Sequence, residues 1–200
     1  MSSMPLDAEH FKLFLVKDFL HADLCHEITN SLAVAPAKAA TVYGAAESGS
    51  VVETTRRTSR VIPPPTVLEL IEQRLTARQP EIAAHYGIAV TGYEEPQFLR
   101  YRTGDFFVAH QDGNTGMMRS EKEQWRKISV VIFLSQHSET PEAETYGGGA
   151  LVFSEWRRRP YGQFALHGEP GTLVAFPSET THEVIPITHG ERYSIATWYG

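Results

Sequence analysis

The second half of the chain is a succession of short segments rich in β-branched and aromatic residues. Gly, Pro, Asn and Asp cluster at the turns between these segments, at 103–105, 112–114, 147–149, 170–171 and 189–190. The segments themselves are predicted as strands over 97–102, 106–110, 128–134, 150–153, 172–176, 182–185 and 192–199. So many short strands bury their apolar faces only by forming a sandwich or a barrel.

The first ninety residues have a different pattern, which predicts two helices. An apolar residue every four positions predicts a helix over 18–32, and an apolar stripe after three prolines predicts another over 66–77. Residues 11–16 are predicted as a short strand, and 41–60 as a loop or a pair of strands. Helices that precede many strands predict helical support for a sandwich or barrel.

Length and composition limit the class of protein. The 200 residues are expected to form a single domain in which 1–92 supports the β-rich part, 93–200, so the fold class is α+β and mainly β. The 18 basic and 24 acidic residues give a net charge of -6, which gives no overall attraction for nucleic acid or anionic membranes. The single cysteine, Cys25, excludes an internal disulfide and a Cys-rich zinc site. We therefore expect a cytoplasmic protein that binds neither nucleic acid nor a membrane.

A histidine and an aspartate, His110 and Asp112, stand two residues apart at the end of a predicted strand. Residues at this spacing point to one face of a strand, so both side chains can bind one ion, although a solvated strand end is the alternative. His182, at the start of a later strand, is the candidate third ligand. Two histidines and one carboxylate on one face of an octahedral ion leave three positions open, as in non-haem Fe(II) oxygenases; zinc could use the same ligands.

Arg192 is a candidate anion-binding residue, with Ser194 two positions further on the same face of the last predicted strand. The rest of this strand is nearly free of charge, which favours an inward, paired arginine over a surface charge. A guanidinium and a hydroxyl inside a barrel can hold a carboxylate. The remaining histidines of this half, His137, His167 and His189, have no partner at ligand spacing and are expected to be exposed.

Three motifs occur in order: QFLRYRTGDFFVAHQD at 97–112, GGAL at 148–151 and HEVIPITHGER at 182–192. With them, the sequence over 13–200 resembles the 2-oxoglutarate/Fe(II)-dependent dioxygenases, most closely the prolyl 4-hydroxylase-like branch. The resemblance implies a double-stranded β-helix (jelly-roll) core with supporting N-terminal helices. It also implies that Fe(II) is bound by His110, Asp112 and His182.

The resemblance further implies how 2-oxoglutarate is held. Arg192, with Ser194, would bind the distal carboxylate, and Tyr101 would hydrogen-bond the cosubstrate unless it is a packing aromatic. Some relatives use a strand tyrosine for the same carboxylate, and this chain has Phe133 there. Thr172 or Ser129 is expected to take the place of that tyrosine. Arg57 lies in a segment, 57–59, that resembles a loop covering the substrate, so it is a candidate substrate-binding residue.

The implied activity is hydroxylation of a C–H bond with Fe(II), 2-oxoglutarate and O2, with release of succinate and CO2 and with ascorbate as a candidate reductant. The implied substrate is a peptidyl-prolyl residue, and a free small molecule is the alternative. A nucleic-acid demethylase of the same superfamily is disfavoured because Trp198 stands where those relatives have a second arginine. A non-catalytic metal-binding barrel is disfavoured by the complete ligand set. A homodimer is the candidate oligomeric state.

Overall fold

Short antiparallel strands dominate the computed structural model, which describes residues 7–39, 56–113, 121–155 and 162–200. The helices are α1 (Ala22–Ala33), α2 (Pro65–Tyr86) and α3 (Glu121–Trp125). The strands are β1 (Phe14–Val16), β2 (Ala37–Ala39), β3 (Arg56–Arg57), β4 (Ser59–Val61), β5 (Gln97–Arg102), β6 (Phe106–His110), β7 (Ile128–Phe133), β8 (Gln136–His137), β9 (Thr145–Gly148), β10 (Leu151–Glu155), β11 (Gly162–Leu166), β12 (Leu173–Pro177), β13 (His182–Val184), β14 (Ile187–His189) and β15 (Glu191–Tyr199).

The strands form two main sheets and one small one. The order in the seven-stranded sheet is β1-β12-β7-β15-β5-β4-β2, and in the five-stranded sheet it is β11-β10-β13-β6-β3. The small sheet, β14-β9-β8, contains the parallel pair β8 and β9, whereas the pairs in the two main sheets are antiparallel. This arrangement confirms the predicted α+β, mainly β class and the double-stranded β-helix.

The seven-stranded sheet has one apolar face for the helices and another for the barrel interior. Ile28 of α1 and Ile71 of α2 share a buried cluster with Ile195 of β15. On the opposite face, Phe133 of β7 and Phe153 of β10 belong to a second buried cluster, between the two main sheets. The side chains of β15 therefore alternate between helix and interior, as a strand buried on both faces requires.

Both predicted helices exist, but their ends differ from the prediction. The first begins at Ala22 rather than 18, because Asp18 has φ 53°, which an α-helix does not accommodate. The second runs to Tyr86 rather than 77 and continues through Pro80. Its last turns are held by tertiary contacts: the hydroxyl of Tyr86 donates to the carbonyl of Ala175 at 2.7 Å. Gly87, with φ 63°, then ends the helix.

The predicted strands are found within one or two residues of their expected ends, except the first. That strand begins at Phe14 rather than 11, because Lys12 has φ 53°. Part of the uncertain region 41–60 is resolved as β3 and β4, which pair with β6 and β5 respectively; residues 40–55 lie outside the described part of the chain. Among the described residues, no helix is long and apolar enough to cross a membrane.

Candidate metal and cofactor site

The pairing of β6 with β13 brings the two predicted histidine ligands together. His182 lies opposite His110 in the antiparallel register, and the ring centroids are 4.3 Å apart. Asp112 follows β6, and its Oδ1 and Oδ2 lie 3.4 Å from Nε2 of His110 and Nε2 of His182 respectively. The ligand atoms of the three residues all lie within 4.8 Å of one another. The structure thus places together the three residues that the sequence selected.

Hydrogen bonds fix which nitrogen each histidine can present. Nδ1 of His110 lies 2.8 Å from the carbonyl of Val108, and Nδ1 of His182 lies 2.9 Å from the carbonyl of Thr180. A carbonyl only accepts, so Nδ1 donates in both rings, and Nε2 is the nitrogen that each ring can present to an ion. Phe107 also stacks on His110, with centroids 3.8 Å apart. Both rings are therefore oriented before an ion binds.

Asp112 is held through both its carboxylate and its backbone. Ser129 Oγ donates to Oδ2 at 2.7 Å, and the backbone N–H of Asp112 donates to the carbonyl of Ser178 at 2.9 Å. Burial alone would raise the pKa of Asp112, but the two histidines and the Ser129 hydroxyl outweigh burial and hold that pKa well below its usual range. Burial lowers the pKa of His182 to about 4, although Asp112 opposes this effect.

These protonation states fit a divalent transition-metal ion. At neutral pH the site offers one ionised carboxylate and the unprotonated nitrogen of His182, which are the forms that bind metal. Ligand atoms about 2.1 Å from one ion lie about 3 Å apart at right angles, close to the 3.4 Å between an Asp112 oxygen and Nε2 of each histidine. Two imidazole nitrogens and one carboxylate oxygen are the donor set of non-haem Fe(II) sites.

A cavity of about 230 Å³ runs inward from this ligand set. Its walls include apolar side chains from both main sheets, and the buried Arg192 and Ser194 also line it. The apolar wall residues include Leu99, Val131, Leu151 and Val184. The lining combines these apolar side chains with polar groups, among them the three candidate ligands and Arg192, which is typical of a small-molecule site.

Arg192 is 1% exposed, and its guanidinium is only partly paired. Nη1 donates to Ser194 Oγ at 3.0 Å, whereas Nε and Nη2 have no hydrogen-bond partner among the described residues. The rings of Tyr101 and Phe133 lie 5.3 and 5.4 Å from the guanidinium carbon. A buried cation with unused donors is costly, and a carboxylate would satisfy both donors. The distal carboxylate of 2-oxoglutarate fits this place.

Sequence reasoning missed a buried ion pair beside the metal ligands. The guanidinium of Arg126 donates twice to Glu94, at 2.5 and 2.9 Å, and lies 3.8 Å from the ring centroid of Trp198. Its Nη1 also donates to the backbone carbonyl of Asp112 at 3.4 Å. The pair joins residues far apart in sequence without a motif, so no local signal could have revealed it.

Other expected residues lie in different places. Ser129 is bound to Asp112 at the metal end and does not take the place of the missing strand tyrosine. The backbone of Arg57 is in β3, but its side chain lies outside the described part of the chain. The expectation that three histidines are exposed holds for His167 but is wrong for His137 and His189, which fold over into the small sheet and are half-buried.

Comparison with known proteins identifies the family. The family model described as the 2OG-Fe(II) oxygenase superfamily matches residues 96–200, which contain all three candidate ligands and Arg192. The chain belongs to the 2OG-Fe(II) oxygenase superfamily. This family implies Fe(II), 2-oxoglutarate and O2 as cofactors, in agreement with the donor set and the incompletely paired Arg192.

Similar curated proteins include PKHD-type hydroxylases. One from Shewanella sp. (strain MR-7) is 32% identical over 166 residues, which are 78% of this chain and 66% of that protein. One from Shewanella oneidensis is 34% identical over 135 residues, which are 65% of this chain and 52% of that protein. The oxygenase chain thus spans between about half and two thirds of the length of these relatives.

Solved structures share the fold at low sequence identity. A Pseudomonas putida prolyl-4-hydroxylase aligns with a TM-score of 0.64 at 23% identity, covering 96% of this chain and 94% of that one. A prolyl hydroxylase from Trichoplax adhaerens, in complex with a hypoxia inducible factor peptide fragment, aligns with a TM-score of 0.66 at 15% identity, covering 96% and 84%. These similarities confirm the jelly-roll architecture.

Proposed function

We propose that this chain is a 2-oxoglutarate- and Fe(II)-dependent dioxygenase that hydroxylates a C–H bond, with release of succinate and CO2. The main support for the proposal is that a metal-ligand set and a buried arginine line the same cavity. At one end, two histidines and an aspartate present ligand atoms to a common point. In the lining of the same cavity, a buried arginine has two donors without partners among the described residues. Fe(II) and a dicarboxylate would complete both ends together.

The residues are assigned as follows in this proposal. Fe(II) would be bound by Nε2 of His110, Nε2 of His182 and the carboxylate of Asp112. Three ligands on one face leave the remaining positions for 2-oxoglutarate and O2. Arg192 would bind the distal carboxylate, assisted by Ser194, and Tyr101 would contact the cosubstrate from the cavity wall.

When bound together, the ion, 2-oxoglutarate and O2 supply the oxidising power that inserts one oxygen atom into an unactivated C–H bond. The protein contributes orientation and exclusion of water. Arg192 fixes the far end of the cosubstrate, so its other end is directed along the cavity toward the three ligands. The apolar middle of the cavity keeps water from competing with the bound groups. Ascorbate as a reductant stays a prediction.

We further propose a peptidyl-prolyl residue as the substrate. Support comes from the fold shared with prolyl hydroxylases, one of them solved with a peptide fragment. A free small molecule is the second candidate, because the cavity is small and its described walls would accept a compact substrate. Arg57 remains a candidate substrate residue from the sequence alone. The homodimer, the cytoplasmic location and the lack of nucleic-acid binding also stay predictions.

We also propose that residues 1–200 act as one domain, with 1–92 supporting 93–200. In support, strands of the first part join the seven-stranded sheet: β1 pairs with β12, and β4 pairs with β5. The helices α1 and α2 cover the outer face of the same sheet.

The experiment that tests the activity uses two substrate libraries, one of proline-containing peptides and one of metabolites. Each is incubated with the protein, Fe(II), 2-oxoglutarate and air, and mass spectrometry follows the gain of one oxygen atom. We expect oxygen gain in a peptide, together with an equal amount of succinate. Oxygen gain confined to metabolites would support the small-molecule alternative, and no succinate with metal bound would overturn the dioxygenase proposal.

A further inference from the structure

Of the two residues expected to take the place of a strand tyrosine, Ser129 is engaged elsewhere and Thr172 stays a prediction. Phe133 occupies that strand position, opposite Ser194 in the register. Ser129 lies opposite Trp198 on the same pair of strands and is already bound to Asp112 and Ser178. Within the described residues, Arg192 and Ser194 would therefore need another donor to surround a carboxylate fully.

Tyr146 has the chemistry that this place requires. It lies in β9, is fully buried, and belongs to the same interior apolar cluster as Tyr101 and Phe133. Its hydroxyl has no hydrogen-bond partner in the described part of the chain. A buried tyrosine hydroxyl nearly always has a partner, so an unpaired one indicates a missing water or ligand.

Gly149 lies against the side chains of both Tyr146 and Arg192. A Cβ at Gly149 would lie 3.1 Å from Cδ of Arg192 and 3.1 Å from Cε2 of Tyr146, so both side chains border this glycine. Gly149 has φ 62°, and a Cβ there would also lie 2.4 Å from Cδ1 of Ile187. Only glycine is accommodated at this crowded, left-handed position, and its lack of a side chain lets the tyrosine and the arginine approach each other.

His137 offers a competing explanation for the unpaired hydroxyl. Its ring meets the Tyr146 ring edge-on with centroids 5.4 Å apart, and its Nε2 also has no hydrogen-bond partner among the described residues. The Glu139 carboxylate lies 4.0 Å from that nitrogen. A water molecule between Tyr146 and His137 would satisfy both groups without any cosubstrate. The two explanations differ in whether the Tyr146 hydroxyl affects the affinity for 2-oxoglutarate.

We propose that the hydroxyl of Tyr146, whose ring borders Gly149 together with Arg192, donates a hydrogen bond to the distal carboxylate of 2-oxoglutarate and replaces the hydroxyl that Phe133 lacks. The proposal rests on the proposed function, because it requires 2-oxoglutarate to bind in this cavity. Tyr146 is thus a cosubstrate-binding residue supplied by the small sheet, whereas Arg192 and Ser194 come from the seven-stranded sheet.

The test measures binding rather than turnover. 2-Oxoglutarate is titrated without oxygen into the Fe(II)-loaded protein, and its Kd is obtained by calorimetry and from visible charge-transfer absorption. The same titration with 2-oxobutyrate, which lacks the distal carboxylate, is the comparison. Tyr146→Phe should raise the Kd for 2-oxoglutarate about tenfold, the typical effect of losing one hydrogen bond to a charged group, and leave the Kd for 2-oxobutyrate unchanged.

Two further variants sharpen the test. Phe133→Tyr in the Tyr146→Phe background should recover most of the lost affinity, because it returns a hydroxyl to the position that relatives use. Tyr93→Phe is the matched control: its hydroxyl donates to the carbonyl of Glu72 on α2, outside the barrel, so its removal should leave the Kd unchanged.

Two results would overturn the proposal. An unchanged 2-oxoglutarate Kd in Tyr146→Phe would support the water molecule beside His137, and an equal loss for both oxo acids would indicate a structural role. The proposed function is tested separately by Arg192→Ala. If the wild-type protein binds 2-oxoglutarate and this variant does not, the proposed 2-oxoglutarate site is supported independently of the result for Tyr146. A wild-type protein that fails to bind 2-oxoglutarate overturns both.

Discussion

The two ends of the cavity are prepared for their ligands in different ways. At the metal end, each ligand is already held by a neighbour: Val108 and Thr180 bind the two histidines, and Ser129 binds the aspartate. At Arg192, two guanidinium donors have no partner among the described residues, and neither has the hydroxyl of Tyr146, which borders Gly149 together with Arg192. The metal end is oriented by the protein itself, whereas the Arg192 end needs its ligand to satisfy buried donors. Substitutions should therefore affect metal binding at one end and cosubstrate binding at the other.

The largest effect is expected for His182→Ala. Loss of a ligand should weaken Fe(II) binding by more than the roughly 100-fold that supporting residues reach, and succinate formation should stop. Metal affinity measured by calorimetry and succinate measured by chromatography check this. His189→Ala removes a histidine of the neighbouring β14 and is the control with wild-type metal affinity. Wild-type turnover in His182→Ala would remove this residue from the ligand set.

Arg192→Ala should weaken 2-oxoglutarate binding without changing Fe(II) binding. We expect the Kd for 2-oxoglutarate to rise about 100-fold, because the carboxylate would be left without its buried partner, while the Fe(II) Kd stays unchanged. Arg192→Lys keeps the charge but not the planar donors and should lose about tenfold. The affinities of both ligands are measured by calorimetry without oxygen. If the 2-oxoglutarate Kd were unchanged in Arg192→Ala, the carboxylate would have to bind elsewhere.

A smaller effect at the metal end is expected for Ser129→Ala. The variant removes the hydroxyl that donates to Asp112 at 2.7 Å, and loss of such a supporting bond should weaken Fe(II) binding about tenfold. Ser135→Ala is the control, since its buried hydroxyl accepts from the backbone N–H of Tyr193 instead. Equal metal affinities for the two variants would contradict a specific role of Ser129 at the aspartate.

The smallest effect concerns the Arg126 ion pair. Glu94→Gln keeps the shape but removes the charge, so Arg126 should hold the Asp112 backbone less firmly and Fe(II) affinity should fall about two- to fivefold. The 2-oxoglutarate Kd should not change, since the pair lies at the metal end. Glu95→Gln, whose partner is the exposed Arg60, is the matched control. A larger effect on the 2-oxoglutarate Kd than on the Fe(II) Kd would contradict the assignment of this ion pair to the metal end.

The metal end could be predicted from sequence because its chemistry is local. His110 and Asp112 share a strand end, and His182 stands in a motif with recognisable spacing to Arg192. The strand pattern also predicted seven strands of the second half within one or two residues, but it missed β8, β9, β11 and β14. The two-residue alternation of apolar side chains and the turn residues are local signals, so they can be recognised without knowledge of distant contacts.

The rest depends on contacts between distant residues. Tyr146 differs little in sequence context from any other buried aromatic, and its relation to Arg192 follows from the turn at Gly149. The pair of Arg126 and Glu94 joins two separate loops. The extension of α2 through Pro80 is similarly set by where Tyr86 binds, rather than by helix propensity.

The register between β6 and β13 has a consequence for how the protein matures. Side chains alternate along a strand, so a slip of one residue would turn His182 to the opposite face, away from His110. An ion can therefore be captured only by chains in which these two distant strands have already aligned correctly. Iron uptake would then report the correct pairing of β6 with β13, and chains that mispair there would stay metal-free and separable from the metal-loaded protein during purification.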